Sequence, residues 1–525
     1  MRAFVFFYTY VCYVTLCFSQ SNTTNIFLKG SDVDPAVYLH YDEQIDDYHM
    51  DTIRVEHRFR QPVVISDHDG RLLGYYNGHQ IRNNDGTLAE NGDSLGWNNS
   101  LKPQFEYNPN IKYNEGFGGF VSAVLVPTDS DSLFVLYHLN KVLVYDVDNF
   151  LLPYMLEAGE YEFVRYASSL LKTEIKLNKN GRLEVDEDKK NQIIIEDFLS
   201  REVYCVQHAN GQDWWVVVGC LASSDAYSIL IKNNTEVSIQ KYYLSHINTQ
   251  HINTGWGTTG FSLNGDKLVR LNYRHPVALP LVLETMDFDR CTGKTTNLVV
   301  DSFYLPSSRG AYMAAEFSPS GRYLYLGGVY SLCRVDLSKV DYFNQMDTIF
   351  NYKDTLLNRV SWTLDSFPHF DFLNLTPNGK IIVFTAIASP FFHLIDNPDA
   401  DDIQDIGFKE KVYITPESKS PYFDRIIVHE MSRRNANKIN AIPCEVNTED
   451  IPYVHKIKVY PVPASQFLYL EEIPRGKAEI IALTSGVVIK NNLVIESPLD
   501  ISYLESGMYG IRFIETGDII KFIKI

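Results

Sequence analysis

The stretch FSPSGRYLYLG, Phe317 to Gly327, decides how the rest of the chain is read. It runs as an apolar residue, a serine, two turn residues, a glycine, a polar residue and then an alternating strand. The pattern returns as FSLNGDKLVRL from Phe261 and LTPNGKIIVFT from Leu375, and less regularly as HANGQDWWVVV from His208. Gly211, Gly265, Gly321 and Gly379 stand 54, 56 and 58 residues apart. A glycine held at one place in so tight a turn implies positive φ, and the alternation after it implies a strand with one buried face.

Carried backwards, the period reaches SDHDGRLLGYY at Gly70 and TDSDSLFVLYH at Asp131; carried forwards, it reaches RRNANKINAI near Asn435. A hairpin unit recurring every fifty-odd residues, with several strands per unit, predicts an all-β chain folded as a β-propeller. About seven blades, WD40-like in their repetition, are expected between Tyr38 and Cys444. An array of β-sandwiches is the competing architecture. Leu151 to Leu171 has apolar positions compatible with a helix, and Gly181 to Asn191 is strongly charged, so this region is expected to be an insertion between blades.

At 525 residues the chain is long for one compact domain, and 34 Tyr with 30 Phe suit half-buried pleated surfaces. The net charge of −18, from 47 basic and 65 acidic residues without a basic cluster, excludes a nucleic-acid partner. MRAFVFFYTYVCYVTLCFSQS at the start reads as a Sec-type signal peptide, residues 1–20, with cleavage near Ser19 or Gln20. Its apolar run is shorter than a membrane span, so the mature chain is expected to be secreted or at the outer cell surface, with no transmembrane segment. Cys12 and Cys17 leave with that segment. The odd set Cys205, Cys220, Cys291, Cys333 and Cys444 remains and forbids complete pairing. Cys205–Cys220, on strands flanking one turn, is the expected bridge.

From about Ile457 the pattern changes to short strands, AEIIALTSG, VVIKNNLVIE, GMYGIRFIET and GDIIKFIKI, which predict a small C-terminal β-sandwich. The expected division is a signal peptide over 1–20, a propeller over 21–447 and the sandwich over 457–525. The tail opens with KVYPVPASQFLYLEE, Lys458 to Glu472. It resembles the type A C-terminal sorting domain of the type IX secretion system of Bacteroidetes. The opening motif of that family is matched by Tyr460, Pro461, Pro463 and Ala464, its late segment by Leu504, Gly507 and Tyr509, and its closing strand by Lys521, Phe522 and Lys524. Val462 stands where the family usually has Asn, and Gln466 where Asp or Asn is usual. The resemblance implies that type IX secretion machinery reads the tail, passes the chain across the outer membrane and removes the domain. It further implies that the remainder is released or attached to lipopolysaccharide. The two prolines fix φ and hold the residues before them extended, which suits recognition of an edge. The stretches YYNGHQIRNNDGTLAENGDSL from Tyr75, FDRCTG from Phe288 and HLIDNPD from His393 also resemble secreted Bacteroidetes propellers that carry such a tail.

No G-x-S-x-G, H-E-x-x-H or S-x-x-K arrangement occurs in a usable context, and no catalytic residue is assigned. Glu115, Glu316, Asp365 and Asp371 are the carboxylates placed to form a pair at a propeller axis, as hydrolysis of a polysaccharide or peptide requires. SDHDG from Ser66 and NPDADDIQD from Asn397 gather oxygen ligands suited to calcium, and no other cofactor is expected. Trp97, Trp214, Trp215, Trp256 and Trp362 are expected mostly in the core between blades, with any exposed rings free to hold a glycan or protein ligand. Asp93, Asp131, Asp347 and Asp354, each followed by Ser or Thr and an aliphatic residue, are similar to the O-glycosylation site of Bacteroidetes. These readings converge on an exported or cell-surface binding propeller with an unidentified glycan or protein ligand. An extracellular hydrolase is the alternative.

Overall fold

The computed structural model describes residues 26–30, 36–42, 47–53, 63–67, 71–97, 123–128, 130, 132–144, 164–220, 225–242, 259–272, 281–303, 312–328, 331–339, 345–351, 370, 372–376, 378–384, 391–414, 430–431, 439, 441–442, 444, 458–460, 465–471, 477–482, 487–494, 497–513 and 519–524. The opening segment read as a signal peptide, residues 1–20, lies outside these residues. Gly211, Gly265, Gly321 and Gly379 have φ of 73°, 69°, 71° and 77°. An L side chain enters that left-handed region at a cost of about 1–2 kcal/mol. In each turn the glycine N–H donates to the carbonyl three residues earlier, on His208, Ser262, Ser318 or Thr376, at 2.9–3.0 Å. The repeat read from sequence is thus one turn geometry used four times.

Each such turn joins the first two strands of an antiparallel four-stranded meander. One meander runs Thr259–Phe261, Lys267–Asn272, Leu281–Phe288 and Thr295–Phe303; the next is Tyr312–Phe317, Tyr323–Gly328, Ser331–Asp336 and Asp347–Asn351; a third is Phe372–Leu375, Ile381–Phe384, Phe391–Ile395 and Phe408–Ile414. Upstream, Val63–Ser66, Leu72–Tyr76 and Ile81–Asn83 form a three-stranded sheet, and Gly70, between its first two strands in the sequence, lies outside the described residues. The large sheet between them is two meanders sharing one strand. The beginning of Gln192–Gln207 pairs with Val164–Leu177, the register shifts near Leu199, and the remainder pairs with Trp214–Cys220. A single strand therefore serves as the outer strand of one sheet and the inner strand of the next.

Counted in chain order among the described residues, there are seven sheets. The first is closed by both ends of this region. Glu430–Met431 pairs with Ile26–Gly30, which continues into Ala36–Asp42 and Asp47–Ile53. The inner strands of the second to seventh sheets lie side by side in order. This is a β-propeller.

The side-chain pattern follows from that stacking. A strand pinned between two other sheets buries both of its faces, so alternate residues serve different neighbours. Val135 and Tyr137 enter the core shared by the third and fourth sheets, whereas Phe134 and Leu136 enter the one shared with the second. Trp214, Val216 and Val218 face the third sheet, and Trp215 and Val217 face the fifth. Leu324 and Leu326 face the fifth sheet, and Tyr323 and Tyr325 the seventh.

Three expectations change. The helix-compatible segment Leu151 to Leu171 enters a strand from Val164 onward, its earlier part lying outside the described residues. An apolar run with both faces buried loses the period of two that separates strand from helix. The charged stretch Gly181 to Asn191 is no insertion between blades; it belongs to the third sheet, with a short strand at Leu183–Val185 that pairs with Val164–Leu177 and a 3-10 helix at Glu187–Lys189. Cys205 and Cys220 are not joined to each other, because the register sets Cys205 opposite Val216 and leaves Cys220 four residues along, about 13 Å away. The disulfide present joins Cys291 to Cys444.

Beyond residue 457 there are two further sheets. Lys458–Tyr460, Phe467–Glu471 and Leu499–Asp500 form one, and Val487–Val494, Lys477–Ala482, Gly507–Phe513 and Ile519–Lys524 the other. They close over a core of their own that includes Leu468, Ile480, Ile501, Ile511 and Phe522. Among the described residues no helix is long and apolar enough to cross a membrane.

Candidate functional site

The residues singled out in the tail are spread over both C-terminal sheets. Tyr460 ends its strand opposite Tyr469, and Pro461, Pro463 and Ala464 lie outside the described residues. Tyr509 is buried, stacks on Phe522 at 5.6 Å and donates its hydroxyl to the Glu505 carbonyl at 2.9 Å. Burial pushes its hydroxyl pKa up, with the Glu505 charge adding to the effect. Such a bond from a tyrosine to the backbone four residues earlier locks the turn before its strand, much as a tyrosine corner does. Gly507 pairs with Lys524, and Lys521 with Gly510. The same sheets show two residues the sequence reading passed over. Leu468 and Leu470 point into the core, whereas Phe467 and Tyr469 are 44% and 43% exposed. The alternation in QFLYLE was the available signal.

Within the propeller, the carboxylates proposed for catalysis do not assemble among the described residues. Glu316 on the inner strand of the sixth sheet accepts from the Leu375 amide at 3.1 Å and from the Phe317 amide at 3.2 Å, tying two inner strands together. Glu115, Asp365 and Asp371 lie outside the described residues. Trp214 and Trp215 are core, and Trp97 is half-buried against His79 at 5.8 Å. Trp256 and Trp362 are outside the described residues.

The candidate calcium stretch NPDADDIQD is a clamp between sheets. It joins the third and fourth strands of the seventh sheet and reaches back to the first turn of the sixth. Asp399 accepts from the Ser320 amide at 3.0 Å, Asp401 from the Tyr323 hydroxyl at 3.1 Å and also from Arg322. Asp402 caps the Gln404 amide at 2.9 Å. In SDHDG, Asp67 accepts from the Arg71 amide at 2.8 Å, and His68 to Gly70 are outside the described residues. Of the aspartates in the glycosylation-like triplets, Asp347 binds Arg334 at 3.0 Å and Asp93 lies 3.5 Å from Lys190. Asp131 and Asp354 are outside the described residues.

Arg322 completes the clamp by gripping Asp336 with two nitrogens, at 3.2 and 2.9 Å. Burial works to raise the Asp336 carboxyl, but hydrogen bonds from Arg322 and Ser338 together with the Arg322 charge outweigh it and bring the pKa down to about 2. A folded value below the unfolded one near 3.9 means that the stabilisation is complete above about pH 4 and fades as pH falls through about 2. Asp401 is shifted the same way, chiefly by its hydrogen bond from Arg322. The thermal midpoint is therefore expected to drop between about pH 4 and pH 2, and Asp336→Asn is expected to flatten that slope while lowering the midpoint at neutral pH. Parallel slopes for both proteins would remove Asp336 from the account.

The same arrangement recurs one pair of sheets earlier. The turn from Asp289 to Lys294 in the fifth sheet reaches back over the first turn of the fourth: Ala209 donates to the Arg290 carbonyl at 3.1 Å, Trp215 Nε1 to the same carbonyl at 2.8 Å, and Arg290 Nε to the Gln207 carbonyl at 3.0 Å. His208 Nε2 lies 3.1 Å from the Cys291 carbonyl. In two pairs of neighbouring sheets, the seventh on the sixth and the fifth on the fourth, a loop of the later sheet is thus braced on the first turn of the sheet before it.

No protein-family model matches the chain, and no curated protein does. Solved structures similar to it include a protein from Lactobacillus plantarum, 11% identical over 75% of this chain and 97% of that one, with a TM-score of 0.38. A 6-phosphogluconolactonase candidate from Bacteroides fragilis is 11% identical over 62% of this chain and 79% of that one, with a TM-score of 0.32. PorZ, a surface component of the type IX secretion system of Porphyromonas gingivalis, is 10% identical over 93% of this chain and 63% of that one, with a TM-score of 0.29. Similarities of this size place no activity on the chain.

Proposed function

We propose that this chain is an exported propeller acting at the outer cell surface or beyond it as a binding module, delivered by type IX secretion machinery that reads its C-terminal sheets. The binding half rests on one observation. Glu316, on the inner strand of the sixth sheet, is committed to backbone amides of the sixth and seventh sheets. Its role there is to join strands. The export half rests on the sequence, on the opening segment and the Tyr460, Pro461, Pro463, Ala464 motif. It is supported by a strand that ends at Tyr460 and by the exposed rings of Phe467 and Tyr469 beside it. In this reading Gly507, Tyr509 and Lys521 shape the sandwich that the machinery recognises. The chain divides as 1–20, 21–447 and 457–525, and the ligand is a glycan or a protein.

Two measurements test it. The mature chain is titrated against immobilised glycans and surface proteins beside a panel of polysaccharide and peptide substrates. Saturable binding without product is expected, and sustained turnover sinks the binding reading. Separately, fusion of residues 457–525 to a periplasmic reporter in a type IX-competent cell is expected to carry it outside. Retention of that fusion sinks the export reading and leaves the binding one standing.

A further inference from the structure

The chain does not leave the ring where the ring closes. After Met431 has paired with Lys29 in the first sheet, residues Ile439, Ala441, Ile442 and Cys444 lie on the first turns of the fourth and fifth sheets. The Ile439 amide donates to the Gln207 side-chain carbonyl, and the Ile442 amide donates to the Ala209 carbonyl at 2.8 Å. Two repeat glycines make room for the segment. A Cβ on Gly211 would stand 3.0 Å from Ala441 Cβ, and one on Gly265 would stand 3.0 Å from Ile439 Cδ1. The segment ends at Cys444, bonded to Cys291 on the turn that braces the same face.

We infer that Ile439, Ala441, Ile442 and Cys444 belong to a redox-releasable strap, seated on the first turns of the fourth and fifth sheets and kept there by the Cys291–Cys444 bond. The seat itself is rigid: Gln207, Ala209 and Arg290 are buried and hydrogen-bonded to one another. The strap is held more lightly: Ala441 is exposed and Ile442 is 51% exposed. A few contacts of that kind hold a segment only if its local concentration is kept high, and the disulfide does this from inside a sequence separation of 153 residues. A small dithiol releases it. The two thiols of the reductant are oxidised to a disulfide, the Cys291–Cys444 bond breaks, and the two hydrogens go to the cysteine sulfurs. Release takes the Ile439 and Ile442 amides away from the Gln207 side-chain oxygen and the Ala209 carbonyl.

The test is hydrogen exchange on the full chain, oxidised and then reduced with a small dithiol and alkylated, with mass confirming that both thiols have formed. The amides of Ile439 and Ile442 are expected to exchange roughly 10-fold faster or more after reduction, while the strand Trp214–Cys220 keeps its protection. Gln207→Ala, with the disulfide intact, is expected to speed exchange at Ile439 and leave Ile442 protected. Unchanged exchange at both amides after reduction overturns the inference. So does loss of protection throughout the fourth and fifth sheets, which would make the bond an ordinary cross-link of the ring.

Discussion

Trp215→Ala is expected to lower the unfolding free energy by about 3–5 kcal/mol, read as a shifted urea midpoint at unchanged slope. Trp215 is 1% exposed and lies in the core between the fourth and fifth sheets with Leu268, Met286 and Phe288. Removing the indole therefore opens a cavity between blades, in a layer that can collapse little because both sheets are held by neighbours. It also deprives the Arg290 carbonyl of a donor at 2.8 Å. The fit on the far side is close: a Cβ on Gly293, where φ is 71°, would stand 2.7 Å from the ring. Trp215→Phe keeps much of the volume and loses the donor, so about 1–2 kcal/mol is expected. A midpoint within experimental error of the wild type for the alanine variant would mean that the two sheets do not depend on this shared layer.

That layer also shows what the sequence made legible. HANGQDWWVVV announced a turn and a strand, and the adjacent tryptophans announced a strand buried on both faces. The turn glycines were legible because positive φ restricts residue choice, and their spacing gave the length of the repeat. What was missed involves residues brought together from different sheets. Nothing local says that Arg290 and Cys291 brace the preceding sheet, or that Cys444 returns to the fifth sheet after closure at Met431. The closing strand has two residues, too few to leave a period. In NPDADDIQD the residue types were read correctly as oxygen donors, but their partners proved to be Ser320, Arg322 and Tyr323 of another sheet. A carboxylate-rich loop looks the same in sequence whether it faces a cation or a guanidinium. In the tail, the residues matched to a family motif include at least one, Tyr509, whose contacts hold the fold.

The guanidinium in that clamp gives the second large effect. Arg334→Ala is expected to cost about 3–5 kcal/mol, the range for breaking a buried charged network by removing one partner. The Arg334 side chain is 3% exposed, binds Asp347 at 3.0 Å and the Asp401 carbonyl at 3.1 Å, and also donates to the Ala400 carbonyl. Its guanidinium lies 4.3 Å from the Tyr323 ring, which also stacks with Arg322 at 4.7 Å. Truncation leaves two carbonyls of the seventh sheet's loop without this donor and weakens the loop's hold on the sixth sheet, so the damage exceeds the loss of one ion pair. Arg334→Met separates packing from hydrogen bonding. It fills the space but cannot donate, and it should recover less than half of the alanine loss. Asp401→Asn, at a side chain 83% exposed, should cost well under about 1 kcal/mol. Chemical denaturation of the four proteins side by side decides it. If the methionine variant were as stable as the wild type, the arginine would be acting as a space-filler, and the loop's attachment to the sixth sheet would rest on its other contacts, among them Asp399 accepting from the Ser320 amide at 3.0 Å and the Tyr325 hydroxyl donating to the Pro398 carbonyl at 2.8 Å.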